Sequence, residues 1–238
     1  MLINITLLIF SYAAAVGATL AGFGSSTLLM PVVLLFMDAR SAIFLVACFH
    51  MFNNLFKIKV FWKRIDFRTF MLFGIPSIIF AFAGAMLISF LPAGIIKKSI
   101  AVFLMIFAVY SLLRPKFAIK ETPITAIIGG SLSGLLAGLI GLGGAVRSVF
   151  LIAFNLSKEV YVGTSAVIAF VIDLTRIPTY LLTKVVQDSS RFILLPFLVL
   201  SAYFGVKSGK MLLGKINQET FRKIVLIVIL LVAIKLLF

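Results

Sequence analysis

The chain has 238 residues, of which 63% are hydrophobic and only 12% are charged, and its mean hydropathy is +1.24. A soluble domain carries about 25% charged residues, so this composition excludes a water-soluble globule. The net charge of +15 does not indicate a nucleic-acid partner, because the basic residues cluster between apolar runs, as they do where membrane proteins set their orientation. Residues 69–96 and 122–146 hold no charged side chain, and each run exceeds the roughly 20 residues of a membrane-crossing helix. The sequence therefore predicts an all-α polytopic membrane protein.

Apolar runs, divided at glycine, proline and charge clusters, predict ten helical segments. In chain order they are 4–21, 26–37, 41–60, 67–90, 94–113, 122–140, 144–156, 159–183, 191–213 and 218–237. The second and the seventh are too short to cross a membrane, since about a dozen helical residues rise only about 18 Å. When each short segment is joined to the one before it as a hairpin, the chain has about eight transmembrane units.

The ten segments form a set of five that occurs twice, which predicts two membrane repeats at 1–116 and 117–238. Two blocks of residues support the duplication. Four residues near the first glycine cluster recur 119 positions later, namely Ala18, Leu20, Gly22 and Gly24 against Ala137, Leu139, Gly141 and Gly143. Further on, the stretch that begins at Gly84 aligns with the stretch that begins at Gly209, 125 positions later. Internal similarity of this kind indicates a repeated architecture.

Basic residues predict that the two halves have opposite orientations. The first cluster follows the third segment and comprises Lys57, Lys59, Lys63, Arg64 and Arg68, which places that linker in the cytoplasm. The second half has its cluster one connection later, and it comprises Lys207, Lys210, Lys215, Arg222 and Lys223. Each repeat has five segments, and an odd number places the start of the second repeat on the opposite side of the membrane. The second repeat is therefore inverted, as in many secondary transporters. Four basic residues would then lie outside, against the rule: Lys97, Lys98, Lys184 and Arg191.

Glycines interrupt both predicted hairpins. The breaks are formed by Gly22 and Gly24 in the first half and by Gly141, Gly143 and Gly144 in the second. Non-helical backbone is tolerated at membrane depth only where protein buries it or where it lines a cavity. The short helices that follow would direct free N–H groups and the positive ends of their dipoles into that cavity, which favours an anion. The alternative is that the glycines only allow helices to pack closely.

Hydroxyl groups follow the first break directly, at Ser25, Ser26 and Thr27. They are candidate donors to the same anion, although hydroxyls in membrane helices also bond their own backbone.

Charged residues at membrane depth are candidates for function because burying them is costly. Arg147 lies one turn into the second short helix and is predicted to bind an oxyanion, the alternatives being snorkelling to the interface or pairing with Asp173. Asp173 and Arg176 lie three residues apart, so they would either form a structural ion pair or line the path of a substrate. At the offset of 119, Asn54 corresponds to Asp173 and Lys57 to Arg176.

The single histidine adds a further candidate. His50 lies one turn before Asn53 and Asn54, so all three are expected to line or gate the path. His50 would either respond to protons near neutral pH or serve as a buried, hydrogen-bonded packing residue.

No pattern of a catalytic or cofactor site is present. The chain has no second histidine for a metal pair, no cysteine pair, no phosphate-binding loop with a Gly-Lys-Ser/Thr sequence and no carboxylate pair at depth. We therefore expect no enzyme activity, no metal and no cofactor. The lone Cys48 cannot form an intramolecular disulfide.

At its two glycine breaks the chain resembles the TauE/SafE family of sulfite and organosulfonate exporters, also called the 4-toluene sulfonate uptake permease family. The resemblance is carried by "GATLAGFGSSTLLMPVVLL" and "SGLLAGLIGLGGAVRSVFLI", each followed by a helix with scattered polar residues, "ACFHMFNNLFK" and "GTSAVIAFVIDLTR". It implies a carrier of anions such as sulfite, sulfoacetate or thiosulfate, with two inverted halves that each begin with a helical hairpin. The chain departs from the family pattern at Ala145 and at Phe150, which takes the place of Pro31, and Arg147 is unusual in so apolar a motif.

We therefore expect a multi-pass protein of the cell (cytoplasmic) membrane that transports a small anion by alternating access, with the bilayer and the substrate as its partners and without nucleic acid. Two alternatives are a carrier of another small anion such as a carboxylate, and a membrane scaffold or accessory subunit without transport activity. The sequence leaves open the direction of transport, the coupling ion and the oligomeric state.

Overall fold

The computed structural model describes residues 2–22, 24–114, 120–154, 156–186, 188–213, 215 and 217–237. These residues form ten helices and no strand. The first half contains α1 (Leu2–Ala21), α2 (Ser25–Val33), α3 (Ala39–Phe61), α4 (Phe67–Phe90) and α5 (Ala93–Leu113). The second half contains α6 (Pro123–Ile140), α7 (Gly143–Ala153), α8 (Lys158–Leu182), α9 (Phe192–Leu212) and α10 (Gln218–Leu237). Each predicted segment corresponds to one helix, so the all-helical prediction is confirmed for the described residues.

Seven of the described helices are long and apolar enough to cross a membrane, namely α1, α3, α4, α5, α6, α8 and α9. The last helix, α10, has 20 residues but carries Arg222, Lys223 and Lys235. The two short helices have 9 residues in α2 and 11 residues in α7. At 1.5 Å per residue they rise only about 14 and 17 Å, which is about half of a hydrocarbon core.

Side-chain caps explain where several long helices begin. Asp38 accepts hydrogen bonds from the backbone N–H groups of Arg40 and Ser41 at the start of α3. Asp66 caps α4 in the same way, and Thr122 forms a reciprocal capping box with Thr125 at the start of α6. Such caps satisfy backbone donors that have no partner inside the helix. They fix the points at which the chain turns back into the bundle.

Helices of one half pack mainly on helices of the other. The first helix of each half lies against the fourth helix of the other half, since α1 packs on α9 and α6 packs on α4. The third helices, α3 and α8, pack on each other, and so do the fifth, α5 and α10. Each short helix folds back on the helix before it, α2 on α1 and α7 on α6. Exchanging the two halves therefore reproduces the main packing pairs.

Glycines allow α6 and α4 to approach closely. Three glycines one turn apart on α6 face backbone oxygens of α4, and a Cβ on Gly134 would lie 2.0 Å from the carbonyl oxygen of Ser77. The Ser77 hydroxyl uses the short distance to donate a hydrogen bond to the carbonyl of Gly130. Small residues at helix interfaces have this role in membranes, where apolar side chains gain little by leaving lipid. Gly134 therefore serves the close packing of α4 and α6.

Gly134→Val is expected to destabilise the fold by about 3 kcal/mol or more, because α4 and α6 must separate to admit the side chain. The reaction of a thiol-reactive dye with Cys48, the single buried cysteine, reports unfolding on heating. Gly94→Ala is the matched control, since a Cβ on Gly94 meets no atom within 4 Å and alanine favours a helix by up to about 1 kcal/mol. Equal unfolding temperatures for the two variants would contradict the packing account.

The distribution of polarity is inverted relative to a soluble protein. Large apolar side chains such as Phe80, Phe82 and Phe90 on α4 are exposed on the outside of the bundle. Charged and polar side chains are buried inside it, including Asp173 and Arg176 on α8. Lipid-facing surfaces have this composition, and ionisable groups at membrane depth face the interior of the bundle.

Candidate functional site

The two glycine breaks meet inside the bundle. Gly24 precedes α2 with a φ of 82°, and Gly141 ends α6 with a φ of 76°, a region that favours glycine. A Cβ on Gly24 would lie 3.3 Å from the Cα of Gly144, the second residue of α7. The N-terminal ends of α2 and α7 are therefore adjacent, and their partial positive charges lie at one place.

Side chains of α8 hold both breaks. The Tyr161 hydroxyl donates a hydrogen bond to the carbonyl of Gly22 in the first break. In the second, Arg176 donates to the carbonyl of Ala137 and Tyr180 donates to that of Gly138. The Ala137 carbonyl also accepts from the backbone N–H of Gly141, so Arg176 is a second donor to it. Tyr161 and Tyr180 supply donors to the carbonyls of Gly22 and Gly138, where the helical hydrogen bonding ends.

Arg147 is the charged residue closest to the point where the breaks meet. Its side chain is 2% exposed, and its Nε–H donates a hydrogen bond of 2.8 Å to the Ser165 hydroxyl. One terminal nitrogen lies 3.8 Å from the position that a Cβ on Gly24 would occupy. No Asp or Glu of the described ranges forms an ion pair with Arg147. Both alternatives, snorkelling and pairing with Asp173, are therefore wrong.

Asp173 pairs instead with two other groups, on α3 and α8. Its Oδ2 lies 2.7 Å from Nδ1 of His50, and its Oδ1 accepts from Nε and Nη2 of Arg176, each at 2.8 Å. All three side chains are buried. Asp173 and Arg176 therefore form an ion pair, and the group includes His50, which lies 123 positions away in the chain.

His50 presents its other nitrogen to the first break. The Nε2 atom lies 3.6 Å from the position that a Cβ on Gly24 would occupy. It is buried and forms no hydrogen bond within the described part of the chain. The packing alternative for His50 accounts for Nδ1 only, since Nε2 lies beside Gly24 without a hydrogen bond within the described residues.

A small pocket lies at this point. It is lined by Ala18, Gly22, Gly24, Asn54, Lys57, Arg147, Tyr161, Val162, Ser165 and Ala166. Lys57 is only 4% exposed and belongs to α3, so its predicted place in the cytoplasmic linker is wrong. Its match to Arg176 in the repeat alignment was the signal that could have assigned it to the interior. No comparable signal existed for Tyr161 and Ser165.

Apart from Asn54, which lines the pocket, the predicted residues described next lie around it. Gly141 contacts Met30 and lies near Arg176, and Gly143 packs against Ser133 and Ala137 within its own hairpin. Ser25, Ser26 and Thr27 are buried in the first turn of α2. Asn53 is buried, with no hydrogen bond to either side-chain atom within the described ranges, whereas Asn54 donates to the carbonyl of His50.

The region suits a small anion. Two helix N-termini and the Arg147 guanidinium are positive or partly positive, the Lys57 amine lines the same pocket, and the carboxylate of Asp173 is already engaged by Arg176. Charge-assisted hydrogen bonds from such donors are the stronger ones in proteins. A metal site has no comparable support, because no group of three His, Cys, Asp or Glu side chains is suitably placed among the described residues.

Comparison with known proteins identifies a family for this chain. The family model described as "Sulfite exporter TauE/SafE" matches residues 7–236, which is nearly the whole chain. No curated protein matches the chain significantly.

Proposed function

Since the chain belongs to the sulfite exporter TauE/SafE family, we propose that it is a secondary transporter of small sulfur-containing anions of the sulfite, organosulfonate or thiosulfate type. Family membership and seven long apolar helices make it a multi-pass membrane protein. We place it in the cytoplasmic membrane of the cell.

The observation that carries the proposal is the meeting of the two breaks beside an arginine without an acidic partner. Gly24 and Gly144 bring two helix N-termini together, and Arg147 lies within reach of the same point. Backbone N–H groups at a helix N-terminus bind oxyanions, and a guanidinium adds a two-pronged contact. Gly22, Gly141 and Gly143 shape the breaks, and the hydroxyls of Ser25, Ser26 and Thr27 supply further donors when the breaks move apart.

The packing of the halves supports alternating access. We propose that each half crosses the membrane an odd number of times. The halves are then inverted, with about eight transmembrane units when each hairpin counts as one. In this structure Gly24 touches Gly144, so an anion enters only when the breaks separate. His50, Asn53, Asn54, Asp173 and Arg176 line or gate the path, because all of them lie on the helices α3 and α8 that pack together.

Flux into proteoliposomes tests the proposal. We expect the purified protein to carry sulfite, thiosulfate and methanesulfonate, to carry acetate poorly, and to exclude potassium. Liposomes with the Gly134→Val protein, whose helix packing is disrupted, give the background. Absence of flux for every anion would favour the accessory-subunit alternative, and equal rates for acetate and methanesulfonate would widen the substrate class to small anions in general.

A further inference from the structure

We propose that His50 binds a coupling proton together with the anion, so that the protein cotransports one proton with each anion. The inference rests on the anion site proposed above. The inference assigns the uptake of a proton to His50. Neither the packing of the fold nor anion binding by Arg147 requires such an uptake.

The hydrogen-bond pattern determines which ring nitrogen of His50 carries a proton. The carboxylate of Asp173 receives two donors from Arg176 on Oδ1 and faces His50 Nδ1 with Oδ2, at 2.7 Å. An ionised carboxylate can only accept, so the proton between Oδ2 and the ring belongs to Nδ1. In the neutral ring, Nε2 therefore has a lone pair and no proton.

That nitrogen lies at the first break, next to the proposed anion site. Nε2 is buried, has no hydrogen-bond partner within the described ranges, and lies 3.6 Å from the Cβ position of Gly24. A lone pair repels an anion, whereas the protonated ring presents an N–H donor with a positive charge. Anion binding therefore favours the protonated ring, and by reciprocity protonation favours anion binding to the same extent.

The charged groups that face His50 explain why the two events are linked. Asp173 and Arg176 face it from α8, and Arg147 faces it from α7. The Asp173 carboxylate lies 2.7 Å from the ring and attracts a positive charge there but is shared with Arg176, while the Arg147 guanidinium near the same point repels one. An anion beside Arg147 removes that opposition, so the proton is bound when the anion is bound.

Two other groups in the same region can hold protons and serve as alternatives. Lys57 lines the pocket two turns further along α3, and its amine is the second candidate for a coupling proton. Tyr161 uses its hydroxyl proton in the hydrogen bond to Gly22. His50 is favoured over Lys57 because its unpaired nitrogen lies at the contact between the breaks.

The test counts protons by titration calorimetry on the protein in lipid nanodiscs. Methanesulfonate and thiosulfate are the probes, because neither takes up a proton near neutral pH, whereas sulfite does. Binding heats in buffers of different ionisation enthalpy give the number of protons taken up per anion. We expect about one proton above the pH at which His50 titrates, and an affinity that falls about tenfold per pH unit there.

Variants identify the group. His50→Gln is expected to reduce proton uptake to zero and to make the affinity independent of pH, while Lys57→Gln retains both effects. Uptake that is lost in Lys57→Gln and retained in His50→Gln overturns the assignment. Anion binding by the unmodified protein without proton uptake overturns the inference and leaves anion transport standing, and this measurement decides even if His50→Gln does not fold. Failure of every anion to bind at any pH contradicts the proposed function itself.

Discussion

Arg147→Gln is expected to weaken anion binding by about 10- to 100-fold, since charge-assisted hydrogen bonds contribute about 1.5–3 kcal/mol each. The guanidinium is 2% exposed, lies beside the contact of Gly24 with Gly144, and has no acidic partner among the described residues. A bound anion would therefore supply the counter-charge that Arg147 lacks among the described residues. Glutamine retains a polar group that can bond Ser165 but removes the charge.

The same variant is expected to leave the anion-free protein as stable as before, or more stable. No carboxylate loses a partner, and the cost of burying an unpaired cation disappears. Unfolding temperatures from the dye reaction of Cys48, with and without thiosulfate, measure both effects. Arg40→Gln is the matched control, because Arg40 donates to the carbonyl of Leu91 at the end of α4, away from the site. An undiminished thiosulfate response in Arg147→Gln would refute the proposed site.

Most of the fold could be predicted from the sequence because membranes constrain helices strongly. Apolar runs, divided at glycine, proline and charge clusters, predict all ten helices, and glycine spacing marks both breaks. The positive φ angles at Gly22, Gly24 and Gly141 lie where the hairpins were expected to turn. These features depend on the composition of short stretches of sequence, so they can be predicted from one sequence without knowing which helices pack together.

The partners inside the site could not be predicted, since they depend on which helices pack together. The pairing of Asp173 with Arg176 follows from their spacing on one helix, but the contact with His50 joins positions 123 residues apart. From the sequence alone, Tyr161 is an ordinary aromatic residue of a membrane helix. Its role is evident only from the hydrogen bond that its hydroxyl donates to the Gly22 carbonyl. The repeat alignment places the polar residues of α3 and α8 at corresponding positions along their helices. It does not predict which neighbour each side chain contacts.

Positions that correspond in the two halves have different surroundings. Arg176 is paired with Asp173 and holds a carbonyl of the second break, whereas its counterpart Lys57 lines the pocket. The counterpart of Asp173 is the uncharged Asn54, so the first half offers Lys57 no equivalent ion pair. At this pair of positions, α8 carries an arginine paired with a carboxylate, whereas α3 carries a lysine that lines the pocket of the proposed anion site.

Asp173→Asn is expected to destabilise the protein by about 3–5 kcal/mol, the usual cost of removing one partner from a buried ion pair. The buried guanidinium of Arg176 would lose the negative charge that strengthens its two hydrogen bonds to Oδ1. His50 would lose the carboxylate oxygen that accepts from its Nδ1. Because Arg176 also caps Ala137, the second break loosens with the pair. The dye reaction of Cys48 on heating measures the loss.

Glu159→Gln is the matched control for that variant, since it neutralises an ion pair with Arg64 whose side chains are 51% and 61% exposed, and such pairs contribute at most about 1 kcal/mol. Adding Arg176→Met to Asp173→Asn should recover part of the loss, and purely additive losses would show that the charges do not interact. Arg147→Gln and Asp173→Asn both neutralise one buried charge with little change in shape. Their expected effects on stability are opposite. This difference distinguishes Arg147, whose charge serves anion binding, from Asp173, whose charge stabilises the second break.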